Sequence, residues 1–112
     1  MTSNWREMWA EVDRRHEESK DSQGAIVELF GRYARLDKQG RADADGALFE
    51  ALHGEDETKR YDALAIINEF QLSEAIPHLR ELAARLQLTD TPGAPFELAK
   101  VQRILHKLQP AG

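Results

Sequence analysis

Apolar residues recur along this chain at helical spacing, in blocks separated by polar or turn-forming residues. The clearest stretch is 56–82, DETKRYDALAIINEFQLSEAIPHLREL. Ala63, Ile66, Ile67 and Phe70 follow the i, i+3, i+4, i+7 rule, and Ile76, Leu79, Leu82, Ala83 and Leu86 do so again after a short turn. Two striped helices joined by a few residues predict a helical hairpin. Upstream, a helix over about 3–19 places Trp5, Met8, Trp9 and Val12 on one stripe, with Glu7, Glu11, Arg14, Arg15 and Glu18 off it. It reads as a cap that buries this stripe against its neighbour.

The remaining blocks complete a series of six helices. Residues 20–23 break the pattern, and Asp21 or Ser22 caps a second helix running to about 36 with Ile26, Leu29, Phe30, Tyr33 and Leu36 inward. Gly31 in its middle costs about 1 kcal/mol relative to alanine and predicts a close helix contact. Residues 38–42 read as a loop, and Asp43 as the cap of a short third helix over 44–53 that buries Leu48, Phe49 and Leu52 and ends at a left-handed Gly54. Asp56 caps the fourth helix, with Glu55 and Glu57 at the positive end of its dipole. Ser73 starts the fifth, where Pro77 sits in the first turn. After a Thr/Pro/Gly linker at 89–94, Pro95 opens the sixth, with Phe96, Ala99, Val101, Ile104, Leu105 and Leu108 apolar and Lys100, Arg103 and Lys107 outward. Pro110, Ala111 and Gly112 read as a frayed end.

The blocks repeat weakly. An offset of 37 residues lays Ile26, Val27, Leu29, Phe30 and Tyr33 on Ala63, Leu64, Ile66, Ile67 and Phe70, and an offset of 35 lays Tyr61, Asp62, Ile66 and Phe70 on Phe96, Glu97, Val101 and Leu105. In the central hairpin, Asp56, Arg60, Ala63-Leu64, Gln71-Leu72-Ser73 and Ala75-Ile76-Pro77 follow one another in order. This run resembles HEAT-like repeats of the phycobilisome-lyase type, in which an acidic cap, an arginine, an Ala-Leu helix and a short turn precede Ala-Ile-Pro. It lacks an Asp-Pro before the fourth helix, and the last repeat has no second helix. The resemblance implies an all-α fold, a short α-α superhelix of HEAT-like hairpins with an N-terminal capping helix. The expected organisation is one domain over 1–112, with the cap at 1–20, hairpins at 21–54 and 55–88, and a C-terminal helix at 95–109.

Composition narrows the function classes. At 112 residues the chain is long enough to bury about two-thirds of its unfolded surface. With 41% hydrophobic and 31% charged residues it is neither disordered nor membrane-embedded. Its longest apolar run, 63–67, is far below the ~20 residues of a bilayer span. The start carries no basic region followed by an apolar stretch, so no secretory signal is expected and a cytoplasmic location is the default. The lack of cysteine removes disulfides, thiolate catalysis and Cys-ligated zinc. Residues 1–57 hold 14 Asp/Glu against 8 Lys/Arg, net −6, whereas 58–112 hold 6 against 7, net +1. Arg32, Arg35, Lys38 and Arg41, like Lys100, Arg103 and Lys107, read as solvated helix faces, which disfavours nucleic acid. An acidic half instead favours a partner protein with a basic surface.

Chemical motifs are sparse. Asp43-Ala-Asp45-Gly46 matches part of a calcium loop, yet Arg41 and Leu52 stand at the first and last ligand positions. His16, His53, His78 and His106 lie on different helices with no ligand-pair spacing, and no phosphate loop or nucleophile elbow is present. No catalytic residue, cofactor or metal is therefore expected, and no membrane partner. In a helical repeat the second helix of each pair lines a curved surface, which places Asp43, Glu50 and His53 with Glu74, His78, Glu81 and Arg85 as candidate partner-binding residues. Trp5 and Trp9 are added as a partly exposed anchor, for a partner or for self-association into a homo-oligomer. The leading expectation is a non-catalytic protein-binding module, since small acidic cysteine-free chains of this build resemble bacterial immunity or adaptor proteins. The alternative is an enzyme-associated or nucleic-acid-processing domain, because HEAT-like repeats also occur in phycobilin lyases and in one class of DNA glycosylase.

Overall fold

The computed structural model describes residues 4–109, which form six α-helices, one 3₁₀ turn and, among the described residues, no strand. The helices are α1 (Trp5–Ser19), α2 (Ser22–Ala34), α3 (Lys38–Leu52), α4 (Glu57–Phe70), α5 (Ile76–Gln87) and α6 (Ala94–Leu108), with the 3₁₀ turn at Ser73–Ala75. Ser3, at the expected start of the first helix, and Pro110, Ala111 and Gly112 lie outside the described residues. No described helix is long and apolar enough to cross a membrane. The chain divides into two compact units, 1–50 and 51–112, and the division falls within α3.

In the first unit α1 and α2 pack closely. The stripe predicted for α1 is the one it buries: Trp5 and Trp9 are each 2% exposed and Val12 is fully covered. Trp5 stands edge-on to Tyr33 of α2 at 6.1 Å and tilted against Trp9 at 6.4 Å, arrangements that suit aromatic quadrupoles. Asn4 caps α1 by accepting the Glu7 amide, and Asp21 caps α2 by accepting that of Gly24. Carboxylates of α3 then reach across. Asp43 accepts the Trp5 amide at 3.2 Å, Asp45 accepts the Tyr33 hydroxyl at 2.7 Å, and Glu50 pairs with Arg6 at 2.9 Å.

Three expectations for this region are corrected. The helix expected at 44–53 begins at Lys38, so 38–42 is helical; Asp37 accepts the Gly40 amide at 2.7 Å and is the acceptor that starts it. Asp43 consequently lies inside α3 and serves α1 instead. Gly31 makes no close helix contact, for a Cβ built there meets nothing within 4 Å. Gly54 does not take a left-handed conformation; positive φ occurs at Lys20 (58°) and Gln71 (53°), which end α1 and α4, and at no described glycine.

In the second unit α5 and α6 approach most closely. Asp56 caps α4 by accepting the Lys59 amide, and Pro77 occupies the first turn of α5, as the sequence implies. Ala63, Leu64, Ile66 and Ile67 of α4, and Leu79, Leu82, Ala83 and Leu86 of α5, form the core with Val101, Ile104 and Leu108 of α6. Here α6 departs from its predicted face. Phe96 is 76% exposed and Ala99 is also exposed, whereas Glu97 is 1% exposed on the stripe that runs from Ala94 through Val101 and Ile104 to Leu108. The residues 94, 97, 101, 104 and 108 hold a 3-4-3-4 spacing, which excludes 96 and 99 from the same side.

Because Gly31 is helical and meets no neighbour, Gly31→Ala is expected to stabilise the protein by up to about 1 kcal/mol. Thermal unfolding followed by circular dichroism checks this; a lower midpoint would show that the space beside Gly31 is filled.

Candidate functional site

The turn after α3 is where the chemistry of the second unit gathers. The carbonyls of 52–54 lack helical partners, as at any helix C-terminus. Arg85 of α5 supplies them, donating to His53 O and Gly54 O at 2.9 Å each and to Leu52 O at 3.4 Å. Arg60 of α4 adds a bond to Gly54 O at 3.1 Å. These donors do for the helix end what a left-handed glycine would have arranged, which is the reason Gly54 need not adopt that conformation. Arg60 is itself held by Glu97, Nε to Oε2 at 2.6 Å and Nη2 to Oε1 at 3.0 Å. Hydrogen bonding to Glu97, with the charges of Glu57 and Glu55, holds the Arg60 guanidinium above its ordinary value against the opposing effect of burial. Burial first, then Glu97 and Glu57, also raises the neighbouring Tyr61 hydroxyl. Glu55, Glu57, Thr89 and Thr91 are among the polar walls of a concave space of about 670 Å³ over this arginine pair.

Beside the clamped turn, His53 and His78 meet. His53 Nε2 lies 2.9 Å from His78 Nδ1, the rings stand edge to face at 5.1 Å, and His53 Nδ1 lies 3.4 Å from Glu81. One imidazole must donate and the other accept, so the pair shares a single proton across the contact. No cluster of three or more metal-ligating side chains occurs among the described residues.

The candidate residues thus sort by position. His53, His78, Glu81 and Arg85 come together, and Glu74 is exposed in the 3₁₀ turn that leads into α5. Asp43 and Glu50 belong to the first unit, engaged with Trp5 and Arg6. Two assignments are corrected. Arg85 does not point freely outward, since backbone carbonyls occupy its guanidinium. Trp5 and Trp9, at 2% exposure, do not stand out as an anchor for a partner or a second copy, because the stripe packs against α2. The buried Arg60–Glu97 pair was missed; its signal was a carboxylate on the apolar stripe of α6, which needs a cationic partner.

The first unit holds a second charged hub. Glu28 of α2 receives Arg15 at 2.7 Å, Arg32 at 2.9 Å and His16 at 3.0 Å. Hydrogen bonds from Arg15, His16 and Arg32 lower its carboxyl from 4.5 to about 2 despite partial burial.

Glu97→Ala is expected to cost about 3–5 kcal/mol by stranding Arg60, read as a loss of the urea midpoint, whereas Arg60→Met/Glu97→Met recovers most of it. If the double variant is as weak as the single one, the pair is not what sets the loss. For Glu28 the folded value lies below the unfolded one, so its contribution is complete above about pH 4.5 and disappears as pH falls through about 2. After solvent screening of a carboxylate 24% exposed, Glu28→Gln should lose roughly 1 kcal/mol at pH 7 and show a flatter stability profile between those values. Urea titrations across that range decide it; superimposable profiles would remove the hub. No family model matches the chain, and no curated protein or solved structure matches it either.

Proposed function

We propose that the chain is a non-catalytic protein-binding module of the cytoplasm, built on HEAT-like hairpins, and that the outward face of α5 with the turn before it docks a partner of basic surface. The contrast among the carboxylates of the second unit carries this reading. Glu97 and Asp62 are buried and Asp56 caps a helix, whereas Glu74 is exposed and the Glu81 side chain is 72% exposed. Glu74, His78 and Glu81 follow i, i+4, i+7 and share one side of the helix path. Two exposed carboxylates either side of a histidine, on an element locked from behind by Arg85, suit steering and complementarity toward a cationic surface. Rigidity lowers the cost of binding.

Two observations favour the repeat scaffold. Six residues of the Asp56 to Pro77 run hold structural positions: Asp56 caps, Arg60 anchors the turn, Ala63 and Leu64 are buried, Gln71 ends α4 and Pro77 opens α5. Moreover, the two buried carboxylates, Asp62 and Glu97, coincide under the 35-residue offset. An immunity or adaptor role is an analogy drawn from build and charge, since fold alone does not fix function.

The test is capture from cells of origin on immobilised wild-type chain, run beside Glu74→Arg/Glu81→Arg. A basic protein retained by the wild type and lost by the variant, with unchanged far-ultraviolet dichroism, is the expected result. Equal retention by both, or an acidic captured protein, would sink the assignment of this face.

A further inference from the structure

We propose that the concave face formed by α1 and α2 is a groove for a second partner element: an amphipathic helical segment of another protein carrying acidic residues beside large apolar ones. The groove has a volume of about 800 Å³ and an apolar floor of Trp5, Met8, Val27 and Leu36. Val27 is 69% exposed, although the other large apolar residues of its helix turn inward or are half-covered. Gly31, one turn further on, lines the same groove, and the space where its Cβ would stand is open. Bare backbone there lets an incoming side chain approach α2 closely.

Charge selects the occupant. Arg32 and Arg35 stand on the rim. Glu28 also lines the wall, but Arg15, His16 and Arg32 surround its carboxylate, so it presents little free negative charge. Arg35 at the end of α2 has no ion pair among the described residues. An apolar floor with a cationic rim fits a helix with leucine-type anchors at i, i+3, i+4 and i+7 flanked by glutamates. A small amphiphile fits less well, since small-molecule sites enclose about 70–90% of their ligand and this groove is open along one side. The occupant is opposite in charge to the partner proposed for α5, and the inference does not depend on that reading.

The probe is a labelled helical peptide of about 14 residues with leucines at those positions and glutamate flanks, titrated into the full chain by fluorescence anisotropy beside a copy with lysine flanks. The glutamate peptide should bind, the lysine peptide roughly tenfold or more weakly, and Arg35→Glu should weaken the glutamate peptide by a similar factor. Gly31→Leu should abolish binding while melting at or above the wild-type temperature, which separates a filled groove from a damaged fold. Equal affinity for the two peptides, undiminished binding to Gly31→Leu, or decanoate binding where neither peptide does would each overturn the inference.

Discussion

The ion pair between Glu97 and Arg60 is the constraint on which the second unit depends. A carboxylate 1% exposed would be several kilocalories unfavourable alone; it is tolerated because both of its oxygens accept from one guanidinium, the bidentate geometry in which such pairs are strongest. The pair fixes the register of α6 against α4, since sliding either helix by one turn would strand both charges. Arg60 also carries the constraint onward to Gly54 O, and Arg85 takes the carbonyls beside it. The end of α3, the start of α4 and the last turn of α5 are thereby tied to one buried charge.

The first unit solves the same problem with surface carboxylates. Asp21 and Asp37 close helix starts, Asp43 receives the first amide of α1, Asp45 receives Tyr33 and Glu28 gathers three basic groups. A composition that reads as an acidic surface is therefore consumed largely within the fold. Net charge describes the titration of the whole chain, and it overstates the negative charge available to a partner wherever carboxylates already hold amides or arginines.

What was legible follows from the range of each interaction. The stripes of α1, α4 and α5 and the caps at Asp21 and Asp56 depend on residues three or four apart, so local pattern contains them. The start of α3 was hidden because Lys38-Gln39-Gly40-Arg41 has no apolar stripe and carries a glycine among otherwise helix-tolerant residues; burial of Gly40 and Ala44 and the Asp37 cap outweigh the cost of that glycine. The His53 and His78 contact spans 25 residues and Arg60 to Glu97 spans 37, distances over which spacing says nothing. Glu97 alone left a local trace, as a charge between apolar residues at i−3 and i+4, and in a chain with 20 carboxylates that trace is faint.

Both units break the usual rules of a stable fold, and they break them differently. In the second, each irregularity is answered: the buried carboxylate by an arginine, the unpaired carbonyls of 52–54 by two guanidinium groups, the left-handed Gln71 by its bond to Ile67 O. In the groove of the first unit the irregularities stand unanswered. A helical glycine avoids no clash, and a valine faces solvent. Each is tolerable singly, but sequences that specify one structure tend to depart from local consistency where something other than stability is selected. Two such departures around one concave surface are better explained by an absent occupant than by independent defects, and that occupant must bring apolar bulk and negative charge together.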